Sequence, residues 1–266
     1  MEPKVVVITG ASGGIGAVLA KQLGNAGYRV VGTARSEESL RTVMREAAND
    51  AHAVIGDMTR RVDVERVRDE AIRTFGRVDV WVNNVGHGIT RRVLELTDDD
   101  VDTMITDNVK SALYGMQAIV PHFQERGTGH VVNVSSMLGR VPMAPFRSAY
   151  SASKAALNIL TSNLRMDLRA SHPDVHVSLV MPGLVATDFA KNALGGVPAV
   201  PAKVPMQSAE DVASAIVRVI EKPVAELYTT PALAGMAREY YADVGAFEAS
   251  MPSFGGPPPT TGRSPS

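Results

Sequence analysis

The chain has 266 residues, and its 27 Lys and Arg residues nearly balance its 28 Asp and Glu residues. This balance argues against a protein that coats nucleic acid, because such a protein normally carries a basic excess. The sequence has no cysteine, which excludes disulfides, thiolate nucleophiles and cysteine-ligated metal sites. No apolar run approaches the ~18 residues that span a bilayer, and the start lacks the pattern of a secretory signal. We therefore expect a soluble, cytoplasmic protein that binds neither nucleic acid nor a membrane.

Short β-branched runs alternate with longer amphipathic stretches along most of the chain. The predicted elements, in chain order, are a strand at Val5–Ile8, a helix at Ile15–Ala26, a strand at Arg29–Thr33, a helix at Glu37–Ala48, a strand at Ala53–Ile55, a helix at Val62–Phe75, a strand at Val78–Val82, a helix at Val101–Gln124, a strand at His130–Val134, a helix at Ser151–Ala170, a strand at Val175–Val180, a helix at Ala209–Glu221 and a strand at Ala225–Tyr228. Apolar strands separated by helices predict a parallel sheet with helices on both faces. The sequence therefore predicts an α/β fold, a single Rossmann-type doubly wound domain of about seven strands over residues 1–250.

Two segments lack this alternation. Residues 188–207 contain prolines and glycines without a clear period, which is typical of a loop that shapes or covers a substrate site. Residues 251–266 carry five prolines and three glycines, so we expect a disordered tail.

The first strand is followed by Thr9-Gly10-Ala11-Ser12-Gly13-Gly14-Ile15-Gly16. A glycine-rich turn between a strand and a helix lets backbone N–H groups approach a pyrophosphate, and the helix N-terminus favours an anion. Alternatively, the glycines only permit tight packing of the helix on the strand. Ser12 is suited to bind a phosphate or to cap the helix, and the two interpretations are compatible.

The end of the second strand favours NADP(H) over NAD(H). NAD sites normally place an acidic residue there, which accepts the ribose 2′-hydroxyl. This sequence has Arg35 instead, and no carboxylate before Glu37. An arginine can pair with a 2′-phosphate through charge-assisted hydrogen bonds. The alternative is an arginine that is only solvated.

Tyr150 and Lys154 are four residues apart at the start of a predicted helix, which places them on one face. A free phenol has a pKa of about 10. A nearby ammonium favours the phenolate, so we expect a lowered Tyr150 pKa and proton exchange near neutral pH. Ser135-Ser136 ends the fifth strand, where a serine can donate a hydrogen bond to a substrate oxygen.

Taken together, these motifs resemble the short-chain dehydrogenase/reductase family in its shorter single-domain form, over roughly residues 4 to 230. The residues that match the family's cofactor-contacting positions are Gly10, Ser12, Gly14, Ile15, Gly16, Arg35, Asp57, Met58, Asn84, Gly86, Tyr150, Lys154, Pro182, Gly183 and Thr187. The residues that match its catalytic positions are Asn108, Ser136, Tyr150 and Lys154. The chain departs from the pattern at Gly13, where many NADPH-preferring members have an arginine, so Arg35 is left as the main phosphate partner.

The resemblance implies hydride transfer between a nicotinamide and a carbonyl or alcohol. Tyr150 would be the acid and base, and Ser136 would stabilise the developing alkoxide. Lys154 would lower the pKa of Tyr150 and hold the ribose, and Asn108 would hold a water in a path for protons.

Substrate contacts are predicted at His87, Met143, Phe146 and Phe189, although an exposed loop histidine and ordinary core packing are equal alternatives. The apolar composition of residues 188–207 indicates a lipophilic ketone. The six histidines show no metal-ligand spacing, so we expect no metal site. Family relatives are mostly homotetramers or homodimers that assemble through the helices at Val101–Gln124 and Ser151–Ala170.

Two functions fit these motifs, and a third does not. The first is an NADP(H)-dependent reductase of ketones or aldehydes, or the reverse alcohol dehydrogenase. The second is a sensor or scaffold of the same fold that binds NADP(H) without turnover. A serine hydrolase is excluded because no G-x-S-x-G turn surrounds Ser135 or Ser136.

Overall fold

A single parallel sheet organises the chain. The computed structural model describes residues 2–47, 50–197 and 206–251. The strands are β1 (Val5–Thr9), β2 (Arg29–Ala34), β3 (His52–Ile55), β4 (Val80–Asn83), β5 (Gly129–Val134), β6 (Val175–Met181) and β7 (Glu226–Tyr228). All adjacent pairs are parallel, in the order β3-β2-β1-β4-β5-β6-β7. The predicted doubly wound fold of seven strands is confirmed.

Helices cover both faces of this sheet. Those in the described residues are α1 (Gly14–Asn25), α2 (Glu37–Ala47), α3 (Arg61–Phe75), α4 (Asp98–Ile105), α5 (Ser111–Arg126), α6 (Ser148–Leu168), α7 (Ala209–Glu221), α8 (Pro231–Ala242) and α9 (Val244–Ser250). In β1, Val6 and Ile8 point into the core beneath α1, α2 and α7, whereas Val5 and Val7 point into the core beneath α3, α5 and α6. This alternation follows from the two-residue period of a strand, and it explains why β1 is apolar at consecutive positions. None of these helices is long and apolar enough to cross a bilayer.

The strand order reverses between β1 and β4, which start the two halves of the sheet. In such sheets the crevice outside the carboxyl ends of the strands is the usual ligand site. The loops after β1, β4, β5 and β6 therefore meet at one edge, and they carry most of the predicted site residues.

The long helix predicted at Val101–Gln124 is two helices joined by a π-helical turn, Thr106–Lys110. A π-turn adds a residue to one helical turn and is frequent at functional sites. Here it contains Asn108, which is completely buried. The segment continues the hydrophobic period of its neighbours, so the sequence did not reveal the interruption.

The sequence analysis assigned no element after Tyr228, and α8 and α9 correct this omission. Their apolar residues pack with Met137 and Val141, which follow β5. Parts of three predicted segments lie outside the described residues: Ala48 of the second helix, residues 198–205 of the predicted substrate loop, and residues 252–266 of the predicted tail.

Candidate active site

The glycine turn after β1 leaves the start of α1 open. Gly10 and Gly14 have positive φ angles of 67° and 53°, which favour glycine. Gly13 is the N-cap, with no side-chain hydrogen bond, and α1 has no acidic residue in its first turn. A Cβ atom at Gly13 would meet nothing within 4 Å. The free N–H groups and the open space fit a pyrophosphate. Ser12 does not cap the helix.

Gly16 has the packing role that the sequence analysis gave as an alternative. A Cβ atom there would lie 2.3 Å from the Gly10 carbonyl oxygen and 2.7 Å from Nδ2 of Asn84. Asn84 Nδ2 donates to the carbonyl oxygens of Thr9 and Gly10, at 3.0 and 3.3 Å. Asn84 therefore holds the glycine turn of β1 against the end of β4. Gly16 lets the helix approach both.

The other predicted cofactor residues follow the ends of β2, β3 and β6. Arg35 is exposed after β2, and Asp57 accepts hydrogen bonds from the backbone and hydroxyl of Thr59. Met58 is buried in the core beneath α3, and Ile15 is half-buried. The Pro182 carbonyl oxygen accepts from Met137 N at 2.8 Å, and Gly183 N donates to Gln207 Oε1 at 3.1 Å. Thr187 faces the glycine turn, since a Cβ atom at Gly14 would lie 3.5 Å from its methyl carbon.

Tyr150 and Lys154 lie on α6, which begins at Ser148, three residues before the predicted start. Both side chains are buried, and Lys154 Nζ lies 5.9 Å from the centroid of the Tyr150 ring. The ammonium donates to the Val134 carbonyl oxygen at 3.1 Å, and burial lowers its pKa to about 8. Gly86 adjoins this group, because a Cβ atom there would lie 3.3 Å from Nζ.

The pKa of Tyr150 differs from the expectation. Burial raises it above its ordinary value, although a hydrogen bond with Ser136 and the positive charge of Arg147 lower it. The expected lowering is therefore wrong for this structure, because burial penalises phenolate more than the neighbouring groups favour it. The cation that acts on the phenol is Arg147, which the sequence analysis did not single out.

Ser136 and Ser135, adjacent in sequence, have different partners. Ser136 Oγ accepts from Leu138 N at 3.1 Å and lies within hydrogen-bonding reach of the Tyr150 hydroxyl, where it lowers the phenol pKa. Ser135 Oγ instead donates to Asn158 Oδ1 of α6, at 2.6 Å. Ser136 is thus the serine that faces the site, as the resemblance implied.

The Asn108 side chain is fully engaged with the protein. Its Oδ1 accepts from His87 N at 2.8 Å, and its Nδ2 donates to His87 O and to Ser153 Oγ. A Cβ atom at Gly86 would lie 3.2 Å from Oδ1, so Asn108 and Lys154 flank the same glycine. Asn108 therefore fixes the loop after β4 beside the lysine.

His87 is half-buried, and both of its ring nitrogens have partners. Nδ1 lies 2.9 Å from Asp107 Oδ2 of the π-turn, and Nε2 lies 2.7 Å from the Asn192 carbonyl oxygen. The hydrogen bond with Asp107 raises the pKa of His87, with burial and Arg35 acting against it. His87 is a predicted substrate contact, but both of its ring nitrogens are already bonded to protein groups. The sequence did not indicate either partner.

The loops after β4 and β6 pair with each other over Tyr150. Thr90 N donates to Leu194 O at 2.7 Å, and Leu194 N donates to Gly88 O at 2.9 Å. The Phe189 ring packs edge-on against the Tyr150 ring, with centroids 5.4 Å apart. Phe189 therefore does lie at the predicted site.

Of the other two predicted substrate contacts, Met143 is separated from Phe189. Met143 packs with Met137 and Val141 beneath α8, in a cluster apart from that of Phe189 and Tyr150. Phe146 is half-buried, and its carbonyl oxygen accepts from Arg91 N. Among the described residues no group of three or more His, Asp or Glu could hold a metal ion.

Comparison with known proteins agrees with this geometry. The family model described as short chain dehydrogenase matches residues 4–196. The chain belongs to the short-chain dehydrogenase/reductase family. Within this family it is 35% identical over 234 residues to the oxidoreductase YxnA of Bacillus subtilis, covering 86% of this chain but 65% of that relative's length.

Two solved structures of short-chain dehydrogenases have the same fold. One, from Burkholderia phymatum in complex with NAD, has a TM-score of 0.83 at 26% identity and covers 92% of this chain and 95% of that one. The other, from Burkholderia cenocepacia in complex with NADP, has a TM-score of 0.80 at 28% identity and covers 94% and 98%. The family membership predicted from the sequence is confirmed.

Proposed function

We propose that the protein is an NADP(H)-dependent oxidoreductase that interconverts a ketone or aldehyde and an alcohol, with Tyr150 as acid and base. The observation that carries this proposal is the convergence of Ser136, Tyr150 and Lys154 at the carboxyl edge of the sheet. Ser136 is in reach of the Tyr150 hydroxyl, and Lys154 Nζ is 5.9 Å from the Tyr150 ring. These groups lie one loop away from the open start of α1.

A nicotinamide cofactor fits this crevice. The uncapped N-terminus of α1 offers backbone donors to a pyrophosphate, and Thr187 faces the turn from the other side. The related structures from the two Burkholderia species hold NAD and NADP. When bound, the reduced nicotinamide supplies a hydride to a carbonyl carbon, and the oxidised form accepts one from an alcohol.

The end of β2 favours NADP(H). Arg35 is exposed there, and Glu37, the nearest carboxylate in sequence, is paired with Arg41 at 2.8 Å. The charge of Arg35 lowers the pKa of His87, which follows β4, so the guanidinium lies within electrostatic range of that loop. These residues suit a 2′-phosphate better than a free ribose hydroxyl.

The proton chemistry follows from the environment of the phenol. Because the pKa of Tyr150 is raised, the hydroxyl is protonated at neutral pH, the form that donates a proton to the oxygen of a carbonyl under reduction. Ser136 Oγ accepts from Leu138 N, so its own proton can be donated to the same oxygen. Lys154 would hold the ribose beside Gly86, and Asn108 would complete a path for protons.

The proposals on substrate polarity and on assembly rest on apolar residues near Tyr150 and on the surface of α6. Phe189 and Leu194, which are half-buried and pack on the buried Ile89, support a substrate with a lipophilic part. Assembly into a homodimer or homotetramer through α5 and α6 is supported by Ile159 and Met166, which are exposed apolar residues of α6. A single domain over residues 1–250 and a cytoplasmic location stay predictions.

The test is a panel of aliphatic and aromatic ketones, aldehydes and oxo acids, both neutral and anionic, with NADPH and with NADH. We expect reduced nicotinamide to be consumed with at least one carbonyl class, faster with NADPH, and only while Tyr150 is present. If the protein binds NADPH but no carbonyl compound oxidises it, the redox proposal fails and the sensor alternative is favoured.

A further inference from the structure

A buried arginine lies at the start of α6, next to the predicted acid and base. Arg147 is the N-cap residue of this helix and is only 6% exposed. Its Nη1 donates to the Ile89 carbonyl oxygen at 3.2 Å, and its guanidinium lies 5.9 Å from the centroid of the Phe189 ring. Gly88 makes room for this arrangement, since a Cβ atom there would lie 3.0 Å from Nη1 and 2.9 Å from Phe189.

The charge of Arg147 has no counterpart in the described part of the chain. Its only side-chain hydrogen bond there goes to a neutral carbonyl, and no carboxylate oxygen lies within 4 Å of it. Burial accordingly lowers the pKa of its guanidinium. Keeping a buried cation without a counter-charge is unfavourable. A protein that keeps one gains a strong site for an anion.

Three carboxylates in the segments around Arg147 are paired with other cations. The acid-cation pairs are Asp100 with Arg91 at 3.2 Å, Asp107 with His87 at 2.9 Å and Asp188 with Lys191 at 2.6 Å. Arg91 forms a short parallel backbone bridge with Arg147. Asp188 precedes Phe189, whose ring contacts the Arg147 guanidinium. None of these three acids therefore supplies a counter-charge to Arg147.

Arg147 and Tyr150 lie close together at the start of α6. Arg147 is its N-cap residue, and Tyr150 follows three residues later in the first turn. The Phe189 ring contacts both, lying 5.4 Å from the Tyr150 ring and 5.9 Å from the guanidinium. The charge of Arg147 also reaches the phenol, whose pKa it lowers. An anion on Arg147 would therefore lie near the hydroxyl that exchanges the proton.

We propose that Arg147 binds a carboxylate of the substrate, so that the enzyme reduces an oxo acid, or oxidises a hydroxy acid, that carries an apolar chain. This inference rests on the proposed function and names its substrate class. The guanidinium and the phenol contact the same Phe189 ring, so one substrate can reach both when only a few bonds separate its carboxylate from its carbonyl. The fork of donors on arginine suits a carboxylate, and the apolar chain would lie along Phe189 and Leu194.

A purely structural role for Arg147 makes different predictions. If the guanidinium only stabilises the loop after β4 through its hydrogen bond to Ile89, its replacement would weaken the binding of all substrates alike and lower thermal stability. If it binds a carboxylate, its replacement would remove a preference between charged and neutral ligands of the same shape. The experiment therefore compares matched ligands as well as variants.

The first arm measures binding to the NADPH-loaded enzyme by calorimetry, using 4-methylpentanoate and 4-methylpentanamide. We expect the carboxylate to bind about 10- to 100-fold more tightly than the amide, the range for a charge-assisted pair. In Arg147→Gln this preference should disappear, and in Arg147→Lys part of it should return. Arg169→Gln, an exposed arginine at the other end of α6, should keep the full preference.

The second arm compares kcat/KM for 4-methyl-2-oxopentanoate and its methyl ester. We expect the acid to be preferred by the wild type and not by Arg147→Gln. Equal binding of acid and amide to the wild type, or an undiminished preference in a folded Arg147→Gln, would overturn the inference. Efficient reduction of neutral ketones with oxo acids rejected would overturn it while the redox function stands. If no carbonyl compound is reduced at all, the redox function fails, and the inference, which names its substrate, fails with it.

Discussion

Lys154 Nζ lies 5.9 Å from the centroid of the Tyr150 ring and donates its hydrogen bond to the Val134 carbonyl oxygen. The ammonium is thus beside the ring, and the pKa of the phenol stays above its ordinary value because the hydroxyl is buried. In this arrangement Lys154 joins α6 to the end of β5. In the proposed reaction Tyr150 would supply the proton for the substrate oxygen, with Ser136 and Arg147 as its polar neighbours.

Replacing the phenol should separate chemistry from binding. In Tyr150→Phe we expect kcat to fall by roughly 10²–10⁴-fold, the usual contribution of a positioned acid. NADPH affinity, followed by nucleotide fluorescence, should change little, because the ring and its contact with Phe189 remain. Tyr241→Phe is the matched control, since Tyr241 is exposed and contacts Arg140. Turnover of Tyr150→Phe within tenfold of the wild type would contradict the proposed role.

Cofactor choice should depend on Arg35. We expect Arg35→Gln to raise the KM for NADPH about 10- to 100-fold, as the loss of a charge-assisted hydrogen bond implies, and to leave the KM for NADH nearly unchanged. Arg45→Gln, which removes an exposed arginine of α2, serves as the charge control. An equal rise of KM for both cofactors would mean that Arg35 supports the loop without binding a 2′-phosphate.

Most of the fold could be predicted, because its signal is local. Val5–Ile8 and the other strands are apolar at consecutive positions, which predicts a sheet buried on both faces. The π-turn at Thr106–Lys110 could not be predicted, since the same amphipathic period runs through it. Helices α8 and α9 were missed because their few apolar residues become a face only against Met137 and Val141.

The site was predictable where motifs end strands, because the carboxyl ends of parallel strands meet at one edge. Ser136 and Asn84 belong to this class. Contacts between loops far apart in sequence could not be predicted. Arg147 stands three residues before Tyr150, and that spacing was a usable signal, but its contacts with Ile89 and Phe189 exist only in the folded chain.

Two glycines of one turn should differ sharply in tolerance. A Cβ atom at Gly16 would lie 2.3 Å from the Gly10 carbonyl oxygen, whereas one at Gly13 would meet nothing within 4 Å. Gly13 also has an extended φ of −168°, which any residue adopts. We therefore expect Gly16→Ala to lower the free energy of unfolding by about 1–3 kcal/mol, the cost of overpacking. Gly13→Ala should leave it within about 0.5 kcal/mol in chemical denaturation of the protein without cofactor. Equal stability of the two variants would contradict the packing role.

The His87 ring should be protonated in the folded protein at pH values where a free histidine is neutral. Both groups that face its nitrogens, the Asp107 carboxylate and the Asn192 carbonyl oxygen, are acceptors, so only the imidazolium satisfies both. The hydrogen bond with Asp107 raises the pKa of His87, while burial and the nearby charge of Arg35 oppose it. Proton NMR titration should give a His87 pKa above about 6.5, and a lower one in Asp107→Asn.

The sign of the corresponding stability effect follows from the raised pKa. The contribution of His87 is fully present below the unfolded pKa of about 6.5 and is lost as pH rises through the folded value. His87→Gln should therefore cost more thermal stability at about pH 5.5 than at about pH 8.5. A His87 pKa that is unchanged in Asp107→Asn would contradict this account.

His130 should act in the opposite direction. Burial, with smaller effects of His176 and Lys4, lowers the pKa of His130 to about 3, and its Nε2 pairs with Ser178 Oγ at 2.8 Å. The folded protein therefore keeps this ring neutral in a range where the unfolded chain takes up a proton. The contribution of His130 to stability is present above the unfolded pKa of about 6.5 and is lost as pH falls towards the folded value. The loss from this group should be about 1.4 kcal/mol per pH unit over that window.

The test compares urea unfolding of the wild type and His130→Gln from about pH 7 to about pH 4.5. Glutamine does not titrate but can still hydrogen-bond to Ser178. We expect the free energy of unfolding of the variant to fall less steeply on acidification. The difference between the two slopes should correspond to close to one proton per molecule. Parallel pH curves would show that His130 is protonated in the folded state or shielded in the unfolded one. Because the comparison uses slopes, it holds even if the substitution lowers stability at neutral pH.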